Sequence, residues 1–204
     1  MIVGLDVGTA RCGIAVIDRS KNIVFACVTK PGIALLEKIQ EIVENFRGDE
    51  NEEVVFVFEV PTPYGTTPTT ILALSANIVV TALHLIQKYK CNVAFALRQR
   101  IKYLLLGTTK AKDKTVRDYL MFKWNLDNKK AKSVGLKQDA WAALAAATVY
   151  MDALYSKEGR YIPNELEAMW HNVCKIWLEE SNDSDKDDAD EFRQLIEGDE
   201  SEKQ

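Results

Sequence analysis

Five consecutive apolar residues, Val54-Val55-Phe56-Val57-Phe58, run without alternation into a carboxylate, Glu59. A strand with one face in water alternates polar and apolar side chains. This one does not, so it is expected inside a sheet that is covered on both faces. The segment therefore demands layers of structure above and below it. A 204-residue chain that is 47% hydrophobic has the apolar surface to supply them.

Three short runs rich in β-branched residues precede it: Ile2–Val7, Cys12–Ile17 and Ile23–Val28. Tight polar turns join them (8–11 and 18–22), which reads as an antiparallel meander. Leu35, Leu36, Ile39, Ile42, Val43 and Phe46 have helical spacing after Gly32, and an acidic loop spans Gly48–Glu53. Pro61 to Pro68 is too rich in proline to be helical. A helix over Thr69–Tyr89 and a fifth strand over Asn92–Ala96 follow. Further helices are expected around Arg98–Leu106 and Thr115–Lys123, then a basic loop between Leu126 and Leu136, then an alanine-rich helix over Asp139–Tyr155. Met169–Leu178 also reads as helical. The order of elements describes an α/β chain, a mixed sheet flanked by helices. The expected organisation is one domain over 1–156, a helical extension over 157–180 and an acidic, solvated tail over 181–204.

Cys12, Cys27, Cys91 and Cys174 are scattered, with no C-x-x-C pair and two histidines in the chain. Neither a thiolate zinc site nor a disulfide framework is implied, and free thiols in a reducing compartment are expected. The sequence opens without a basic leader and with an acid at Asp6, unlike a secretory signal. The longest apolar stretch, Ile71 to Ile86, is broken by Ser75, Asn77, Thr81 and His84. It falls short of the roughly 18–20 unbroken apolar residues of a bilayer span. A well-buried helix in a soluble, intracellular protein without a membrane partner is the expectation.

Net charge is −4, from 26 basic and 30 acidic side chains, and the average hides a split. Residues 179–204 hold 12 acids and 3 bases, whereas Arg98–Lys137 holds 12 bases against Asp113, Asp118 and Asp127. A polyanion partner suits that basic segment. The tail could compete for it or contact another protein.

Three carboxylates sit in apolar settings: Asp6 within the first strand, Glu59 directly after the fourth, Asp139 at the start of the alanine-rich helix. Each alone has a plainer reading, as a turn cap, a solvated strand end or a helix-dipole residue. Together they suggest a site for hard divalent cations, Mg²⁺ or Mn²⁺, which a few acids and substrate phosphates can hold. One or two such ions can stabilise the attacking and leaving oxygens of a phosphodiester displacement.

Gly4-Leu5-Asp6-Val7-Gly8-Thr9-Ala10-Arg11-Cys12-Gly13-Ile14-Ala15-Val16-Ile17 resembles the opening of the RNase H-like superfamily, in particular its RuvC-type Holliday junction resolvases. Val55-Phe56-Val57-Phe58-Glu59 resembles that family's second acidic motif. Arg98 to Gly107, with the lysine-rich turn after it, is similar to its basic segment, and Lys137 to Ala145 to its final acidic helix. The likeness runs in order over residues 2–155. It implies a five-stranded sheet, three strands antiparallel and two parallel. It also implies a homodimer that nicks four-way DNA junctions symmetrically in recombination and repair, leaving a 5′-phosphate and a 3′-hydroxyl. Asp6, Glu59 and Asp139 would be the catalytic, metal-holding acids. Arg11, Tyr64, Arg98, Arg100, Lys102, Lys110, Lys112 and Lys114 would meet DNA, mostly through backbone charge, with Tyr64 able to stack on an unpaired base.

One departure stands out. The family carries a second acid three residues along the last helix, and here that position is Ala142. Asp152 lies roughly 20 Å further along and cannot replace it. The alternatives are a YqgF-like nuclease acting on RNA, an actin-like kinase suggested by Asp6-Val7-Gly8-Thr9, and a junction-binding protein with weakened or no activity.

Overall fold

The computed structural model describes residues 1–48, 52–62, 67–156 and 167–168. In chain order the elements are β1 (Ile2–Val7), β2 (Cys12–Ile17), β3 (Ile23–Thr29), α1 (Ile33–Phe46), β4 (Val55–Val60), α2 (Pro68–Tyr89), β5 (Asn92–Leu97), α3 (Arg98–Leu106), α4 (Asp113–Lys123), α5 (Asn128–Ser133) and α6 (Ala140–Tyr155). The expected helix over Met169–Leu178, Tyr64, Cys174 and nearly all of the extension and tail lie outside the described residues.

The sheet has the order β3-β2-β1-β4-β5. β1–β2 and β2–β3 pair antiparallel, β1–β4 and β4–β5 parallel. All six residues of β4 are buried, which accounts for its lack of alternation. Val3, Leu5, Ile14, Val16, Phe56, Phe58 and Phe95 pack on the side of Leu35, Ile39 and Ile42 of α1 and Ile78, Ala82 and Leu85 of α2. Ile2, Ala15, Ile17, Val55, Val57 and Ala94 pack on the opposite side, with the alanines of α6 and residues of α3 and α4.

Two glycines allow α6 to lie against the sheet. A Cβ at Gly4 would come within 2.0 Å of the Ala143 carbonyl oxygen, and one at Gly13 within 2.2 Å of that of Asp139. The small residues of α6 complete the fit, since Ala140, Ala143, Ala146 and Ala147 are all fully buried.

Three expectations need correction. The segment between Leu126 and Leu136 is not a plain loop. Asp127 caps α5 by accepting from the Lys130 amide at 2.7 Å, an N-cap that nucleates a short helix. Pro68 belongs to a helix, because it stands in the first turn, where a missing amide hydrogen costs nothing. α2 is not buried all round. Ile78, Thr81, Ala82 and Leu85 form one buried stripe, while Leu72 and Val80 are 71% and 61% exposed. α2 is long and apolar enough, by length and composition, to cross a membrane, and 22% of its most apolar window is buried.

Candidate active site

Asp6 and Glu59 are register partners in the parallel β1–β4 ladder, so their side chains leave the same face of the sheet. Glu59 lies within β4 and not after it, and it is 6% exposed. On the other side of β1, Asp6 is paired with Gly13, the residue whose missing side chain admits the start of α6. That contact brings Asp139 to the same place. Asp6, Glu59 and Asp139 line one cleft, with Arg98, Lys102, Asp113 and Ala142 on its walls.

The electrostatics of the cleft are those of acids short of positive charge. Burial pushes the Glu59 carboxyl up to about 8; the neighbouring Asp6 adds to the rise and Arg98 opposes it. Burial likewise pushes Asp6 up to about 6, with Arg98 opposing and Asp139 adding. Arg98 is the countercharge at the centre. Its Nη1 lies 3.2 Å from Glu59 Oε1 and its Nη2 lies 2.7 Å from Asp113 Oδ2. Lys102 Nζ holds the other Asp113 oxygen at 2.9 Å. Against the cost of burial, hydrogen bonds from Lys102 and Arg98 keep Asp113 below the usual carboxylate range.

At the cleft's other side, Arg11 Nε pairs with Asp139 Oδ2 at 3.0 Å. The β1–β2 turn sets Arg11 there: the Gly8 amide donates to the Arg11 carbonyl, and a Cβ at Gly8 would come within 2.3 Å of that oxygen. Asp139 stands at the N-cap position of α6 without making a capping bond, so its carboxylate is left to the cleft. Gln138 before it has φ +44, a sparsely populated conformation for a residue with a side chain. Ala142 lines the cleft with no oxygen to offer, and Asp152 is engaged elsewhere, 2.9 Å from Lys123 Nζ.

The donor set is all carboxylate oxygen, which suits a hard divalent cation. Among the described residues, however, no three acids are positioned to share one ion as they stand. Two of the three candidate ligands are engaged by arginines, and a cation would have to loosen those pairs.

The other candidates divide into two groups. Lys110, Lys112 and Lys114 are exposed on the α3–α4 connection and the first turn of α4, and Arg11 is exposed at the cleft. Arg98 and Lys102 turn inward to the acids. Arg100 Nη1 is 2.9 Å from Oε2 of Glu167, a carboxylate with no exposed surface that also accepts from the Leu97 amide at 3.0 Å. In the sequence Asp113 is one acid among neighbouring bases, and nothing there marks Glu167. The position of Asp113 at the first turn of a helix inside a basic segment was the one available signal.

No protein-family model and no curated protein sequence matches the chain. Solved structures do. The Thermus thermophilus RuvC in complex with a Holliday junction substrate is similar with a TM-score of 0.54 at 14% identity, over 74% of this chain and 91% of that one. A second Thermus thermophilus RuvC structure has a TM-score of 0.49 at 14% identity, over 74% and 92%. The Fowlpox virus resolvase with Holliday junction DNA has 0.48 at 12% identity, over 76% and 100%. The fold, a mixed five-stranded sheet flanked by helices, is RNase H-like.

Proposed function

We propose that this chain is a structure-selective endonuclease that cuts four-way DNA junctions by divalent-cation-dependent hydrolysis. The observation that carries the reading is half-buried Asp6 beside buried Glu59 on adjacent parallel strands, in one cleft with Asp139. Asp6, Glu59 and Asp139 would hold Mg²⁺, or Mn²⁺ in its place. The cation would supply the positive charge that polarises the phosphodiester and activates the attacking water. Lys102, Arg98 and Arg11 add positive charge near the place where negative charge accumulates in the transition state. Lys110, Lys112 and Lys114 give an exposed basic approach to the cleft that suits phosphate contacts. Branched DNA as substrate is carried over from the RuvC that shares this fold and was solved on a Holliday junction.

The exposed apolar residues of α2 suit a two-fold homodimer, which would set two clefts for paired nicks. On this reading the protein acts in solution inside the cell. Residues 1–156 would form the nuclease domain, residues 157–180 a helical extension, and residues 181–204 an acidic tail able to compete for the basic face.

Ala142 favours one second reading, a junction-binding protein with weakened cleavage. A side-by-side assay of an immobile four-way junction, linear duplex and structured RNA, each with Mg²⁺ and with Mn²⁺, separates the possibilities. Symmetric cleavage of the junction alone supports the proposal. Tight binding without cleavage supports the second reading, and cleavage of RNA alone contradicts both.

A further inference from the structure

Arg98 is placed unlike an arginine that waits for a DNA phosphate. Its guanidinium spans two acids, with Nη1 on Glu59 and Nη2 on Asp113. Asp113 in turn is fixed by Lys102, whose side chain is 17% exposed. Glu59 is nearly sealed from water, so it needs a neighbouring positive charge whenever it is ionised. A cation entering the cleft and a guanidinium on Glu59 are therefore competitors for one carboxylate.

We infer that Arg98 is a resident countercharge that holds Glu59 until a divalent cation arrives, and that Asp113 is the anchor onto which it then withdraws. This inference rests on the reading of Asp6, Glu59 and Asp139 as a cation site. Three features support it. The fork of the guanidinium already bridges both carboxylates, so withdrawal breaks one contact and keeps the other. Asp113 is 69% exposed and belongs to α4, so the anchor stands toward the mouth of the cleft, outside the buried pair. Arg98 opens α3 directly after β5, and the Leu97 amide beside it is pinned to buried Glu167. The backbone there is held, so an exchange of partners falls to the side chain. Withdrawal would free an oxygen of Glu59 and leave positive charge at the cleft mouth, where a phosphate would enter.

The test is calorimetric titration of MnCl₂ into the full chain without DNA, for wild type, Arg98→Gln, Asp113→Asn and the double variant, at mildly alkaline pH. Arg98→Gln is expected to bind Mn²⁺ about tenfold more tightly, the scale on which one neighbouring opposite charge shifts a carboxylate's equilibrium. Asp113→Asn, which leaves Arg98 no anchor but Glu59, is expected to bind more weakly, and its effect should shrink to that of one nearby charge once Arg98 is gone. Arg98→Lys keeps the charge but cannot bridge both acids; it should show a smaller gain, and it serves if the Gln variant does not fold. Affinity that is unchanged or weaker in Arg98→Gln and Arg98→Lys overturns the inference and leaves the cation site standing. An Asp113→Asn effect that is as large without Arg98 as with it also overturns it, because Asp113 would then act on the cation directly and not through Arg98. Absence of Mn²⁺ binding in all variants and wild type overturns both the inference and the site.

Discussion

Asp6 and Glu59 stand opposite each other across the β1–β4 ladder, and the guanidinium of Arg98 touches Glu59 alone of the two through an ion pair. Like charges on paired strands, one half-buried and the other nearly sealed from water, cannot both ionise cheaply.

That relationship fixes a pH dependence. Both carboxyls bind protons more tightly in the folded chain than in the unfolded one, Asp6 with a value of about 6 and Glu59 of about 8. Their contribution to stability is therefore full below the ordinary carboxylate range and is lost as pH rises through those values. In chelator, the melting temperature should fall from about pH 5 to about pH 8. Mn²⁺ should restore it, and should do so more at the upper end. A melting temperature that rises across the window, or a Mn²⁺ effect larger at the acid end, counts against the buried-pair account.

The docking of α6 predicts a second outcome. Gly13→Ala would drive a Cβ to 2.2 Å from the Asp139 carbonyl, a backbone atom that can move only with its helix. Urea unfolding should show a loss of about 1–3 kcal/mol, the range of core overpacking. Mn²⁺ binding should weaken as well, because Asp139 is displaced with the helix. Wild-type stability in Gly13→Ala would mean that α6 does not lie where it is described.

Much of this was legible in the sequence. The unbroken run before Glu59 located β4, an interior strand of the sheet, and the β-branched runs located β1 to β3 to within a residue, because strand burial leaves a direct imprint on side-chain type. Asp6, Glu59 and Asp139, three of the cleft's four acids, were legible for the same reason, as charges inside apolar segments; Asp113, among lysines, was not. The roles of Arg98 and Arg100 were not. A basic residue in a basic segment looks alike whether it faces solvent or a carboxylate from another element, and Glu59, Asp113 and Glu167 reach them from separate parts of the chain. The one-sided burial of α2 was hidden because its exposed residues are as apolar as its buried ones.

Glu167 gives a third prediction. It has no exposed surface and joins Arg100 and the Leu97 amide, about 70 residues away in sequence. Glu167→Ala removes the buried acceptor of the Leu97 amide and one partner of the partly exposed Arg100. It should cost about 1–3 kcal/mol, the scale of a buried donor left unsatisfied, and a chain ending at residue 156 should be destabilised by a similar amount. Unfolding curves that coincide with wild type would remove the extension from the fold's support.

Leu72 and Val80 give a fourth. If α2 forms the proposed dimer interface, Leu72→Glu with Val80→Glu should convert a dimer to a monomer in sedimentation while leaving circular dichroism unchanged. A monomeric wild type in the same experiment would contradict the interface.

The central claim is that Asp6, Glu59 and Asp139 together cleave branched DNA. Its most direct measurement compares wild type and Asp6→Asn on a labelled immobile four-way junction with Mn²⁺, scoring binding and cleavage on the same samples. The account predicts that Asp6→Asn binds the junction as wild type does and cleaves it at least about a hundredfold more slowly, the scale of losing a transition-state electrostatic contact. Cleavage by Asp6→Asn at the wild-type rate would contradict it.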